Sequence, residues 1–89
     1  MRPKWKSVAQ ELWVGNKLVK RFKRPADSAG ALLEAFELAD WEHAVENPFK
    51  GEHDAKSRLH DAIKNLNKCQ KVIRFRGNGD GMGATWEWR

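Results

Sequence analysis

Cysteine is almost absent: Cys69 stands alone among 89 residues, so no disulfide can close within the chain and stability has to come from packing. A reducing, cytoplasmic setting is the expectation that follows. No basic-then-apolar leader opens the sequence, and no apolar run approaches the ~20 residues a bilayer demands, so a membrane location is not expected. Nitrogen and sulfur ligands are equally scarce. His43, His53, His60 and Cys69 form no Cys-x-x-Cys or His-x-x-x-His pair, so neither a metal nor a cofactor is expected. Cys69 lies beside an apolar helical stripe and reads as a small buried residue, facing away from His60. No two carboxylates are placed around a recognisable catalytic pattern, and an enzyme is not expected.

What the chain does have is charge, unevenly distributed. A third of its residues are charged and the net is +5. Residues 1–24 carry eight Lys and Arg against Glu11, residues 25–55 set Lys50 against eight carboxylates, and residues 56–89 return to eight cations against Asp61, Asp80 and Glu87. A fold that gathers the basic ends and turns the acidic middle away would present a cationic face to a polyanion.

Hydropathy places the elements within one α+β domain. Residues 1–10, basic and interrupted by Pro3, read as a flexible arm. Leu12-Trp13-Val14 and Leu18 to Phe22 flank Gly15-Asn16, which predicts a hairpin over 11–24. The helical part is expected over 26–69. Its first helix starts near Asp27 and buries Ala29, Leu32, Leu33 and Phe36; a short second helix falls within 42–46 before Asn47-Pro48; a third, capped by Asp54, buries Ala55, Leu59, Ala62, Ile63 and Leu66. Residues 71–89 read as a second hairpin around Gly77-Asn78-Gly79-Asp80-Gly81-Met82-Gly83, with Ile73 and Phe75 sharing a face with Trp86 and Trp88. That glycine-rich turn lacks the Gly-Lys-Ser/Thr and helix of a phosphate-binding loop, and Asp80 alone is too little for calcium, so it reads as a plain turn.

Leu59, Ile63, Leu66 and Lys68, followed by Phe75-Arg76-Gly77-Asn78-Gly79, resemble the recognition helix and wing of the winged-helix output domains of OmpR/PhoB-type response regulators. The likeness covers residues 57–79, and the expected 89-residue domain has no room for a receiver. An Arg-Leu-His-Asp-x-Ile-Lys-x-Leu-Asn helix and an Ile-Arg-Phe-Arg-Gly strand are also similar to short bacterial proteins, a similarity that implies no function. The first resemblance implies a winged helix-turn-helix with an N-terminal β-hairpin, three helices and a C-terminal hairpin wing, acting on double-stranded DNA as a small transcription regulator or accessory factor.

Under that implication Asn67 and Lys64 would meet base edges, with His60 a weaker third, because the major groove distinguishes bases by donor and acceptor pattern. Lys56, Lys68, Lys71, Arg74 and Arg76 would meet phosphates, joined by Arg2, Lys4 and Lys6 on the arm. Trp86, Trp88 and Phe75 have an alternative reading as a stacking platform for single strands, although their alternation favours the core. The alternative for the whole chain is a protein-interaction module docking through its acidic segment 27–54, as a monomer or weak homodimer.

Overall fold

The Gly15-Asn16 turn forms as its residues predict: Gly15 takes a φ of +60°, and β2 (Glu11–Val14) folds back onto β3 (Lys17–Arg21). The computed structural model, which describes residues 1–25 and 27–89, adds a third strand to this hairpin. Part of the expected flexible arm is β1 (Pro3–Lys6), paired antiparallel with β2 so that Trp5 lies opposite Leu12 with both side chains buried. Burial of the Trp5 indole together with the pairing to β2 offsets the cost of ordering four residues, which is why a short basic segment is not left loose. The outer edge of β1 is also closed. Pro3 has no amide hydrogen, and the Trp5 N–H donates to Glu37 Oε1 at 2.7 Å.

Helix α1 (Asp27–Leu38) buries Ala29, Leu32, Leu33 and Phe36, the stripe its periodicity predicts. Ala26, the expected first residue of the helical part, lies outside the described residues. The helix stops because Asp40 turns to a φ of +58°: its N–H meets Glu37 O at 3.1 Å, and the Trp41 N–H meets Phe36 O at 2.8 Å. The Trp41 ring then stacks on Phe36 with centroids 5.3 Å apart. This is a Schellman closure with its usual hydrophobic clasp.

Here the structure departs from a winged helix-turn-helix. Two helices, not three, occur among the described residues. Residues 42–46 hold a strand, β4 (Ala44–Glu46), and turns fill the path to α2 (Ala55–Asn67). A single helical turn is costly to nucleate, whereas a strand here finds partners ready-made. The Trp86 N–H donates to His43 O at 3.0 Å and the Asn47 N–H to Met82 O at 2.9 Å, bracketing the pairing of β4 with β6 (Gly83–Trp88).

Strand β6 is therefore central in an antiparallel sheet ordered β4-β6-β5, with β5 (Ile73–Gly77) on its other side. Ile73 lies opposite Trp88 and Phe75 opposite Trp86, as alternation requires. Leu59, Ala62 and Leu66 of α2, the buried face of α1, Ile73, Phe75 and Trp86 form one core that Trp5, Leu12 and Val19 join from the first sheet. The Cα radius of gyration is 12.0 Å, the ~12 Å expected of one domain of this length.

Candidate nucleic-acid interface

The period of α2 leaves one exposed arc carrying Lys56, Ser57, His60, Asp61 and Lys64, and Lys68 and Lys71 extend it through the turn that follows. Among the described residues none of these four lysines makes an ion pair. The other expected contacts do not share that surface. Arg74 and Arg76 are the exposed residues of a strand whose buried residues, Ile73 and Phe75, face the core, so strand alternation turns them to the far side of the sheet from α2. Arg76 there pairs with Glu87 at 2.8 Å.

Asn67 is not free to read a base. Its Nδ2 donates to Phe75 O at 2.9 Å, and its Oδ1 accepts the Phe75 N–H at 2.9 Å. Gln70, buried, does the same one pair along: Oε1 accepts the N–H groups of Val72 and Ile73, while Nε2 donates to Leu66 O and Ile73 O. Two amide side chains thus take the place of a neighbouring strand along the outer edge of β5. They satisfy its buried backbone and close the edge to foreign strands. A side chain that carries both a donor and an acceptor suits this task for the same reason it suits an adenine edge, and sequence alone does not separate the two uses.

The fold brings in two cations that spacing could not identify. Lys20, from β3, donates its Nζ to Lys68 O at 2.8 Å. Arg89 donates Nη2 to Asn67 O at 3.1 Å and Nε to Ile73 O at 3.0 Å. Both sit at the negative end of α2, where unpaired carbonyls favour positive charge. Partial burial holds the Lys20 ammonium below the ordinary lysine range; Cys69 opposes that shift, and neighbouring Lys68 adds to it. Cys69 itself is exposed, not buried: the helix ends at Asn67, and Cys69 occupies the following turn with a φ of +59°.

At the other end of α2, Lys56, Leu59, His60 and Ile63 face Gly77, Gly79, Asp80 and Gly81 across an open cleft of about 360 Å³. The loop is tied down by Asn47, whose Nδ2 donates to Gly81 O and Ala55 O. Asp80 accepts the Met82 N–H at 2.8 Å, a turn-stabilising bond. His43 stacks on Trp86, apart from His60 on α2, and no group of three metal-ligating side chains occurs among the described residues.

The acidic segment is partly occupied by the rest of the chain. Asp40 pairs with Arg2 at 2.6 Å, Glu52 with Arg58, and Glu46 with Lys50 at 3.9 Å, while Glu37 accepts from the Trp5 N–H and the Trp41 indole. These contacts supply an internal role for carboxylates expected to form a docking face. Among the described residues no helix is long and apolar enough to cross a membrane. No family model, curated protein or solved structure matches the chain.

Proposed function

We propose that this protein binds double-stranded DNA chiefly through phosphates, using the exposed face of α2 and the basic turn after it, as a small regulator or DNA-associated accessory factor would. The observation that carries this reading is the convergence of Lys64, Lys68 and Lys71 with Lys20 and Arg89 at the C-terminal end of α2, with no carboxylate paired to any of them among the described residues. Unneutralised cations held close together are what a phosphate backbone rewards, through release of its counterions. With Asn67 engaged by β5, only Lys64 and His60 of the base-reading candidates remain on the face, so sequence preference is weak.

Anisotropy titration of a labelled random-sequence duplex across a salt series tests this. With about five phosphates neutralised, log K falls against log salt with a slope of roughly −4 to −5. Charge reversal of Lys64, Lys68 and Lys71 together should abolish measurable binding at moderate salt. The side chains of these residues make no internal hydrogen bond among the described residues, so the variant should keep its circular dichroism spectrum. Binding that ignores salt, or a variant that binds as tightly as the parent, refutes the assignment.

A further inference from the structure

Of the three aromatic residues on the inner face of the β5–β6 hairpin, Phe75 and Trp86 are buried at 1% and 5% exposure, while Trp88 is 44% exposed. An indole left in water at the end of a strand is ordinarily a loose side chain. Trp88 is not loose: it meets Trp86 edge-to-face with centroids 4.9 Å apart, and Trp86 is fixed in turn. The Trp86 Nε1 donates to Trp41 O at 3.1 Å and Glu42 O at 3.0 Å, and His43 stacks on its ring at 5.2 Å. The Trp88 indole N–H makes no hydrogen bond among the described residues, so it adds an unused donor to an exposed π surface. An aromatic held in place before binding loses little entropy when something stacks on it.

The surroundings specify the occupant. Trp88 pairs with Ile73, the Arg89 N–H donates to Val72 O at 3.0 Å, and the Arg89 side chain reaches Asn67 O; the turn carrying Lys68 and Lys71 leads directly into this strand end. A partly exposed indole at a strand end whose neighbouring turn carries Lys68 and Lys71 complements a nucleotide, with base on indole and phosphate on lysine. We propose that Trp88 stacks an unpaired base, so that the preferred ligand is DNA with a single-stranded segment adjoining the stretch whose phosphates the basic turn holds. The proposal rests on the DNA-binding reading above and adds the strandedness of the ligand.

The test titrates the full chain, Trp88→Ala and Trp88→Phe at low salt against a labelled oligothymidine strand and a blunt random duplex. Stacking predicts that Trp88→Ala weakens strand binding about 5- to 150-fold and that Trp88→Phe retains most of it, with duplex binding changed less than about twofold. Strand addition should also quench indole emission more in the parent than in Trp88→Phe, a response that a merely structural residue would not give. Equal strand affinity in parent and Trp88→Ala overturns the proposal, as does an equal loss for strand and duplex, which would make Trp88 structural. In both outcomes duplex binding by the parent leaves the DNA reading standing. If the parent binds neither ligand, that reading fails and the proposal with it.

Discussion

Replacing Gln70 with alanine removes four hydrogen bonds from one point of the structure, and their cost can be worked out partner by partner. Ile73 O keeps the Arg89 Nε at 3.0 Å, so it is not stranded. Leu66 O and the N–H groups of Val72 and Ile73 lose Gln70. Of these residues Val72 is half-buried, whereas Leu66 and Ile73 are both fully buried. An orphaned buried group costs about 1–3 kcal/mol, so two full penalties with one partial one give about 3–7 kcal/mol. Against a total of roughly 5–13 kcal/mol for a domain of this size, that is a large fraction. Urea unfolding followed by tryptophan emission should show the midpoint falling at unchanged slope, and the melting temperature should drop by more than about 10 °C. Asn67→Ala, which uncaps Phe75 on the same edge, should behave alike. A loss below about 1 kcal/mol for Gln70→Ala would mean that the edge of β5 is solvated and that the two amides are not standing in for a strand.

Two further perturbations test other parts of the structure. A methyl group at Gly83 would sit 2.7 Å from Val45 O, a backbone atom fixed by the β4–β6 ladder, so Gly83→Ala should cost about 1–3 kcal/mol in urea unfolding; a loss within about 0.5 kcal/mol would place β4 elsewhere. Glu11 is held below its ordinary value of 4.5 by the Trp13 indole N–H and then by Arg21, with Lys6 adding to the effect. Its lowered value means that the carboxylate stabilises the fold fully above that range and ceases to do so as pH falls through the folded value. The stability gap between parent and Glu11→Gln should therefore be constant near neutrality and close below pH 4.5; a gap that persists unchanged into acid would show that the charge of Glu11 contributes nothing.

The readable parts of the sequence were those in which local chemistry and tertiary demand agree. The apolar stripe of α1, the Gly15-Asn16 turn and the β5–β6 alternation each require only a period or a turn residue, and each forms in place. The basic arc of α2 was legible for the same reason. The readings that failed had their answers held by a distant partner. Glu42 to Glu46 has no strong local preference, and the open edge of β6 makes it a strand. Trp5 looks like terminal fringe until Leu12 and Glu37 are placed beside it. Asn67 and Gln70 are polar residues near a helix end, and nothing in their spacing says that a strand edge awaits them.

Of what the sequence by itself predicted, two of the three helices, the four hairpin strands and a surplus of positive charge hold, because periodicity, turn chemistry and composition are local quantities. Only the tertiary structure decided which charges remain available. It turned Arg74 and Arg76 to the far side of a sheet, gave Arg2, Arg58 and Arg76 carboxylate partners, and carried Lys20 and Arg89 to the end of α2. Whether a cation can meet a phosphate depends on which groups lie within a few ångströms of it, and that neighbourhood is set by packing between segments tens of residues apart.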